Sequence, residues 1–318
     1  MTTAGEPYGS TLGPVIHIGY HKAASSWFQA EFFPRARNAY VIPRSVVARE
    51  ILLPSPFAFE PQTARRNFLS HAPGRIVMSE EELSGNLHTA GLHGGMSKEI
   101  AERLHRTFPD AHIVMIIRNQ NDVIASAYKQ YIQGGGTRSI ERFLKPSIAP
   151  HKIPNFSLDF LVYDGLIGYY ESLFGRPNVH VYPYEALRLE GRDFVAKIAA
   201  DLDLDVDLAR TSFAAVNVSH RRWTLRLMRL LNHFHDREIP NSSCIIAIPG
   251  FYKLLRFAAS RLNRIALMGR REDLEDLLDA SSVAEIEDRF RESNERVEKR
   301  YHLGLRSLGY SMPQDAPA

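Results

Sequence analysis

The sequence predicts an α/β fold in which a parallel sheet is flanked by helices and followed by a helical C-terminal extension. Four short runs are almost wholly apolar and rich in β-branched residues, as expected for parallel strands buried on both faces. The segments between these runs have the spacing of helices, and alternation of strand and helix implies right-handed crossovers within one sheet. Beyond residue 205 helical spacing predominates.

The first strand is predicted at residues 15–20, and a short loop connects it to a helix that begins near Trp27. The second strand, at residues 75–79, is followed by three acids, the third ends in Arg118, and the fourth covers residues 178–182. Helices are predicted at residues 97–108, 122–132 and 158–174. Each of them stops at Pro or Gly residues, which are typical helix terminators.

One domain is expected over residues 1–318, with an α/β core at residues 14–205 and a mostly helical part at residues 206–318. The composition, 44% hydrophobic and 24% charged residues, is that of a globular protein and excludes a disordered or polytopic membrane protein. The net charge of +3 argues against a protein that coats nucleic acid, so no nucleic-acid partner is expected.

The C-terminal part contains two blocks of opposite charge. Residues 218–271 hold eleven Lys and Arg against two acids, and residues 272–298 hold eleven acids against three Arg. In the basic block a helical face that packs on the core is predicted from Phe251, Leu254, Leu255, Ala258, Leu262 and Ile265, with Lys253, Arg256 and Arg264 opposite. The alternative is peripheral contact of residues 245–268 with a membrane or a partner. No run of about 20 apolar residues could span a membrane.

Cys244 is the single cysteine, so no internal disulfide can form, and the first residues lack the features of a secretion signal. Both observations predict a cytoplasmic protein. Membrane contact through the basic block would place it at the inner membrane surface. No Cys and His cluster has the spacing of a zinc site, so no metal is expected.

The loop after the first strand has the outline of a phosphate-binding site. It carries Lys22, Ser25 and Ser26 and leads into a helix N-terminus, where free N–H groups and the helix dipole favour an anion. The fold is therefore predicted to be P-loop-like. The loop is not a Walker A motif, because Lys22 does not directly precede a hydroxyl residue and no Gly-rich stretch comes before it. A plain turn with a surface lysine is the simpler alternative.

A second candidate anion site follows the third strand. Arg118 ends that strand, and Ser126 lies eight residues later in a predicted helix. Side chains at these two positions can reach one phosphate outside the sheet edge. Taken separately, Arg118 also fits a helix cap and Ser126 a small packing residue. Together with the Lys22 loop they favour a bound anion.

These two segments resemble the sulfotransferases that use 3′-phosphoadenosine 5′-phosphosulfate (PAPS). Residues 20–27, Tyr-His-Lys-Ala-Ala-Ser-Ser-Trp, are similar to the family's 5′-phosphosulfate loop, Tyr-Pro-Lys-Ser-Gly-Thr-Thr-Trp, and Arg118 with Ser126 resembles its 3′-phosphate motif. The resemblance implies that Lys22 contacts the bridging oxygen and the sulfonate. It also implies the remaining co-substrate contacts of this loop, from Ala23, Ala24, Ser25, Ser26 and the neighbouring Trp27.

Two C-terminal segments are also similar to bacterial members of that family. Residues 213–222 resemble a looser Asn-x-Ser segment, which implies that Arg221 or Arg222 meets the nucleotide. Residues 287–302 resemble the closing helix. The resemblance thus extends over residues 14–220 and this helix.

Sulfonate transfer requires a cation near the bridging oxygen and a base near the acceptor hydroxyl. Lys22 can supply the cation. Residues 78–84, Met-Ser-Glu-Glu-Glu-Leu-Ser, resemble a segment of bacterial sulfotransferases whose register selects Glu81 as the base. The alternative bases are His21, His88 and His93. The three acids could otherwise cap the following turn or face solvent.

The sequence thus predicts an enzyme that transfers sulfonate in line from PAPS to a hydroxyl group and releases 3′-phosphoadenosine 5′-phosphate (PAP). A glycan, a glycolipid and a phenolic natural product all fit as acceptors. Loops at residues 44–70, 85–97 and 134–156 are expected to shape the acceptor pocket. Aromatic residues available there for stacking, or else for core packing, are Tyr128, Tyr131, Phe143 and Phe156.

Two other functions stay open at this point. One is a P-loop nucleoside kinase or hydrolase, and the other is a non-catalytic module that binds anionic membranes through residues 218–271. The sequence pattern carries no information about the oligomeric state.

Overall fold

The computed structural model describes residues 13–72, 74–89, 94–145, 156–213, 220–235 and 243–314. In these ranges the sheet has five strands, all parallel, in the order β2-β3-β1-β4-β5. The strands are β1 (Val15–Gly19), β2 (Tyr40–Val41), β3 (Ile76–Ser79), β4 (His112–Ile117) and β5 (Val179–Pro183). The predicted parallel α/β fold is confirmed.

Helices connect the strands and continue after the last one. A short α-helix, α1 (Ser25–Trp27), runs on into a π-helical turn (Phe28–Phe32) and a 3-10 turn (Phe33–Arg35). The next helices are α2 (Arg44–Val47), α3 (Pro61–Ser70), α4 (Gly95–Thr107), α5 (Gln120–Gly134), α6 (Ile140–Leu144), α7 (Tyr163–Phe174), α8 (Tyr184–Glu190) and α9 (Arg192–Asp201). The C-terminal part contains α10 (Arg222–Leu231), α11 (Phe251–Leu262), α12 (Leu274–Leu277) and α13 (Ala280–Tyr301).

The central strand β1 is buried over its whole length, because helices cover both faces of the sheet. Successive side chains of a strand point to opposite faces, and the packing follows this rule. Ile16 and Ile18 lie in the larger apolar cluster with residues of α4, α5 and α7. Val15 lies in the second cluster with Phe28 and residues of α9. The continuous apolar run in the sequence thus reflects burial on both sides.

The C-terminal helices share this core. Phe290 and Val297 of α13 belong to the larger cluster, and α13 packs against α5 and α7. At the start of α5, the buried Gln120 donates to the side chain of Asn294 at 2.7 Å. Helix α10 packs against α5 and against α11. The C-terminal extension is therefore joined to the sheet by packing on its helices.

Two elements differ from the sequence-based expectation. Strand β2 was not predicted, because it is only two residues long and lies at the sheet edge, where Tyr40 is exposed and Val41 is half-buried. The helix predicted at residues 158–174 is divided into a 3-10 turn, Leu158–Leu161, and α7.

The predicted apolar face of α11 is correct in part: Phe251, Ala258 and Leu262 are half-buried, and the basic residues Lys253, Arg256 and Arg264 are exposed as expected. Leu255 and Ala259, four residues apart, are buried, whereas Leu254 is 62% exposed and Ile265, beyond the helix end, is 45% exposed. A single narrow stripe is enough to pack this helix on its neighbours, so other apolar residues are left on the outside. Within the described ranges, none of the helices is long and apolar enough to cross a membrane.

Candidate active site at the carboxyl edge of the sheet

The loops that follow β1 and β4 meet at the carboxyl edge of the sheet. The two strands are neighbours, but the chain passes through β2 and β3, on the other side of β1, before it reaches β4. A crevice at such a reversal of strand order is the usual ligand site of an open parallel sheet. Lys22 follows β1 and Arg118 follows β4, so the fold brings the two predicted anion sites together.

The loop at residues 20–26 presents unpaired backbone amides. Lys22 and Ala24 adopt left-handed conformations, with φ of 65° and 62°. The N–H groups of Lys22 and of residues 24–26 donate to no described residue, and the next amide, that of Trp27, donates to the Ala24 carbonyl at 2.8 Å. Successive amides in such a turn form a concave site for an anion, and the helix dipole points at it.

Ala24 adopts a backbone conformation that glycine usually provides. A residue with a Cβ atom pays about 1–2 kcal/mol in the left-handed region. In the family loop that residues 20–27 resemble, Gly stands at this position. With Ala24 there, the left-handed turn is kept at a cost in backbone strain.

The polar side chains of this loop face different surroundings. Ser25 is buried, and its hydroxyl donates to the Tyr20 carbonyl at 3.3 Å, whereas Ser26 is exposed. Burial and the nearby Arg118 guanidinium lower the pKa of Lys22, while the Glu81 carboxylate opposes that shift. A partly buried ammonium group beside free amides and a second cation is a favourable place for an anion.

Trp27 anchors the loop to a later segment of the chain. Its ring is buried, its Nε1 donates to the Ser212 carbonyl at 2.7 Å, and the ring of Phe213 lies 5.5 Å away. These contacts support a packing role for Trp27. Its predicted place beside the co-substrate stays a prediction.

Arg118 connects the two loops directly. Its Nη1 donates to the Lys22 carbonyl at 2.9 Å, and its Nη2 donates to Asp122 at 2.9 Å. The guanidinium also lies 4.7 Å from the ring centre of Tyr184. The Nε atom is buried and has no hydrogen-bond partner among the described residues. An unsatisfied buried donor of this kind is unusual in a folded protein and is consistent with a bound acceptor group.

Ser126 lies on α5, one helical turn after Asp122, and is partly buried. Residues four apart share one face of a helix, so Asp122 and Ser126 lie on the same side of α5, and Arg118, which precedes the helix, reaches this side through its bond to Asp122. Asp122 was not singled out from the sequence, because its contact depends on how Arg118 folds back onto the helix.

Glu81 lies next to the loop and is already ionised by its neighbours. Gln29 donates to its carboxylate at 3.0 Å, and Arg44 forms an ion pair with it at 3.2 Å. Burial raises the pKa of Glu81, but its hydrogen bonds and Arg44 outweigh this effect, so the pKa lies below its usual value. Glu81 also influences the pKa of both His21 and Lys22, which places it within the site.

The adjacent acids have different environments. Arg44 forms a bidentate salt bridge with the buried Glu80, in which its Nε and Nη2 donate to the two carboxylate oxygens at 2.7 and 2.6 Å. Burial, with the charges of Glu80 and Glu81, raises the pKa of Glu82 to about 7. Arg44 and Gln29 were missed in the sequence, because they are far from the three acids along the chain and belong to no motif.

Two of the candidate histidine bases belong to this cluster, and the third, His93, lies outside the described residues. His21 Nε2 lies 2.9 Å from the Gly85 carbonyl, and burial is the main cause that lowers the His21 pKa. Burial, reinforced by His21 and Lys22, lowers the pKa of His88 to about 4. The structure thus places His21, His88, Glu81 and Lys22 in one electrostatically connected group.

Arg221 and Arg222 contact the C-terminal part of the chain. Arg221 donates to the carbonyls of Asn263 and Gly269, at 3.1 and 2.8 Å, and Arg222 pairs with the buried Glu272 at 3.1 Å. Their predicted contact with the nucleotide stays a prediction. The Asn-x-Ser part of that segment, residues 217–219, lies outside the described residues.

The aromatic residues proposed for acceptor stacking are buried: Tyr128, Tyr131, Phe143 and Phe156. Phe143 stacks on Phe156 at 5.2 Å and lies 5.1 Å from Tyr131. These rings therefore form part of the core, which was the alternative role.

The chain is similar in structure to two proteins described as sulfotransferases. A sulfotransferase from Alicyclobacillus acidocaldarius is 15% identical, with a TM-score of 0.49, over 66% of this chain and 87% of its own. Mouse sulfotransferase SULT7A1, crystallised with PAP, is 13% identical, with a TM-score of 0.43, over 93% of this chain and 88% of its own. No family model and no curated protein matches the sequence. Because both TM-scores are below 0.5, the functional argument rests on the geometry of the site.

Proposed function

We propose that the protein is a sulfotransferase, which moves a sulfonate group from PAPS to a hydroxyl group of a second substrate and releases PAP. The observation that carries this proposal is the hydrogen bond from Arg118 to the carbonyl of Lys22. This bond holds two anion-binding sites, each with one basic side chain, next to each other where the strand order of the sheet reverses.

The two sites fit a ligand with two separated phosphate groups. On one side, Lys22, the exposed Ser26 hydroxyl and the free amides of residues 24–26 suit a 5′-phosphosulfate. On the other side, the unpaired Nε of Arg118 and the hydroxyl of Ser126 suit a 3′-phosphate. A nucleoside triphosphate carries all its phosphates in one chain, so it would leave the second site unused.

The chain supplies fixed donors where negative charge develops. PAPS provides an activated sulfonate, whose sulfur bonds to the acceptor oxygen while its bond to the bridging phosphate oxygen breaks. The Lys22 ammonium and the amides of residues 24–26 stabilise the charge left on that phosphate oxygen. Because these donors are held in place before the reaction, no reorganisation is needed.

His21 is the base that we place beside the acceptor hydroxyl. A carbonyl oxygen only accepts, so His21 Nε2 donates to Gly85 and Nδ1 carries the lone pair. The lowered pKa keeps the ring neutral near pH 7, and the Glu81 carboxylate stabilises the imidazolium that forms when Nδ1 takes the proton. Direct proton transfer to Glu81 is the alternative. His88, whose pKa burial lowers to about 4, is a further candidate for this role.

Calorimetry with PAP tests the co-substrate part of the proposal. The wild-type protein is expected to bind PAP. Lys22→Ala is expected to weaken this binding by about 100-fold, because it removes a charged hydrogen bond to a phosphate group. Lys197→Ala, which removes an exposed lysine of α9, is the matched control and should bind normally. Absence of PAP binding to the wild-type protein would overturn the proposal.

A transfer assay tests the reaction itself. Labelled PAPS is incubated with pooled glycans, glycolipids and phenols, and label is expected to appear on a hydroxyl-bearing acceptor in a manner that depends on Lys22. Magnesium-dependent ATP turnover that Lys22→Ala abolishes, without PAP binding, would instead assign a kinase or hydrolase.

A further inference from the structure

A basic cavity lies at the C-terminal end of α5, away from the Lys22 loop. It has a volume of about 670 Å³, and four arginines line it: Arg138, Arg142, Arg226 and Arg229. None of the described lining residues is Asp or Glu. Four guanidinium groups around one cavity repel each other unless an anion joins them, so the cavity suits a ligand with phosphate oxygens.

The arginines differ in how far their charge is already neutralised. Arg138 and Arg142 form no ion pair with a described residue, and Arg229 donates to the hydroxyl of Tyr128 at 3.3 Å. Arg226 lies 3.7 Å from the Glu272 carboxylate, which Arg222 approaches more closely, at 3.1 Å. At least two full positive charges therefore face the cavity without a carboxylate partner in the described chain.

The rim of this cavity is apolar and exposed. Leu230 lines the cavity. With Trp223 and Leu227 it forms an exposed stripe along α10, in which Trp223 is 50%, Leu227 40% and Leu230 64% exposed. Ser243 also lines the cavity and leads into Ile245, Ile246 and Ile248, which are 68%, 58% and 43% exposed. Six large apolar side chains exposed beside one cavity indicate an interaction surface.

The apolar segment is held in place against the cavity. The backbone amide of Ile245 donates to the His233 carbonyl at 2.8 Å, and that of Ser243 donates to the hydroxyl of Thr137 at 3.2 Å. The isoleucines are therefore presented from a fixed backbone beside the arginines.

The surrounding surface has the charge of a membrane-binding face. The described residues 220–235 and 243–271 include ten Lys and Arg and no Asp or Glu. Of these cations, Arg222, Arg226 and Arg270 pair with Glu272 or Asp276, and six others form no ion pair with a described residue. Apolar side chains surrounded by basic ones match an anionic bilayer, because its interior is apolar and its surface carries phosphate groups.

We propose that this cavity binds the phosphate-bearing headgroup of an anionic phospholipid, while the rim formed by Trp223, Leu227, Leu230, Ile245, Ile246 and Ile248 inserts into the bilayer. The proposal goes beyond the sulfotransferase activity and does not depend on it. A free phosphate ion would use the arginines but not the rim, and the exposed rim therefore favours a lipid. Of the predicted membrane-contacting segment, residues 245–268, this proposal uses Ile245, Ile246 and Ile248.

Vesicle sedimentation tests the proposal with the full chain. Vesicles of phosphatidylcholine alone are compared with vesicles of roughly seven parts phosphatidylcholine and three parts phosphatidylglycerol. The wild-type protein is expected to bind only the anionic vesicles. Arg138→Gln combined with Arg142→Gln should weaken this binding by about 30-fold, since each basic contact contributes about fivefold. The control pair, Arg188→Gln with Arg192→Gln, changes net charge equally at exposed positions of α8 and α9 and should have little effect.

A second pair of variants tests the rim. Ile245→Ser with Ile246→Ser removes exposed side chains and keeps the backbone contact to His233, so the fold is retained, and binding should fall by about tenfold. Leu53→Ser with Leu189→Ser changes two residues elsewhere that are even more exposed, at 76% and 74%, and this pair is expected to bind like wild type. Circular dichroism and thermal melting check that every variant is folded.

Three outcomes would overturn the proposal. The first is an equal loss of vesicle binding in the control arginine pair and in the cavity pair, which would indicate a general attraction between charges and no site in the cavity. The second is binding of soluble glycerol phosphate to the cavity without any vesicle binding, which would assign a free anion. The third is full retention of vesicle binding in both test pairs. Lys22→Ala is expected to bind vesicles normally, so failure here and failure of the sulfotransferase proposal are distinguishable.

Discussion

Arg118 donates from Nη1 to the backbone carbonyl of Lys22 at 2.9 Å. The contact joins the loops after β1 and β4 across 96 residues of sequence. Because it uses the carbonyl of Lys22, it leaves the ammonium group of that lysine available for an anion. The same guanidinium keeps its buried Nε unpaired, so Arg118 both shapes the first site and offers a donor to the second.

Arg118→Ala is expected to weaken PAP binding by about 100-fold, since it removes a charged hydrogen-bond donor and the support of the loop. Arg118→Lys should restore only a small part of the affinity, because a lysine lacks the planar fork that contacts the Lys22 carbonyl and Asp122 together. Calorimetry measures both. Equal affinity of the lysine variant and wild type would show that only the charge matters.

Ala24→Gly is expected to stabilise the protein by about 1 kcal/mol, because glycine adopts a φ of 62° without the strain of a Cβ atom. For a chain of this size the melting temperature should rise by about 1–2 °C. Ala23→Gly is the matched control: this alanine is fully buried and has no positive φ, so the same change should destabilise. Calorimetric melting of the two variants compares them. Destabilisation by both changes would contradict the strained turn.

The pH dependence of kcat/KM is expected to show an acid limb that belongs to His21. The active form of His21 is neutral, and burial lowers its pKa below the ordinary value of about 6.5. As the pH is lowered, kcat/KM should therefore stay constant to about pH 6.5 and decrease only at lower pH. His21→Asn should lower kcat by about 100-fold or more and remove this limb.

Glu81→Gln supplies the control for that assignment. The carboxylate raises the His21 pKa, so its removal should move the acid limb to lower pH. An acid limb that persists in His21→Asn and disappears in Glu81→Gln would identify Glu81 as the base.

The exposed arginines of the basic surface are expected to act on the acceptor and not on the co-substrate. Arg256 and Arg264 form no ion pair with a described residue and face solvent. Arg256→Gln with Arg264→Gln should raise the KM for an anionic or vesicle-borne acceptor about fivefold or more, and leave the Kd for PAP unchanged. Steady-state kinetics and calorimetry separate the two effects. An unchanged KM would refute this role.

The strands and the meeting of Lys22 with Arg118 could be predicted, because continuous apolar runs and their order determine which loops share a sheet edge. The partners of these residues could not. Asp122 and Arg44 act through contacts that depend on side-chain direction after folding, and no local pattern encodes them. The face of α11 was predicted only in part for a related reason: periodicity shows which apolar residues are aligned, but not how wide a stripe the neighbouring helices cover, so Leu254 and Ile265 are left exposed.

Gln120 and Asn119, which follow Arg118 directly, are held by the far end of the chain. Gln120 bonds to Asn294 at 2.7 Å, and Asn119 donates to the Gly309 carbonyl at 2.6 Å. A ribosome makes Arg118 long before it makes these partners, and a domain generally folds as a unit. The loop after β4 therefore gains both contacts only when residue 309 has been synthesised and has docked.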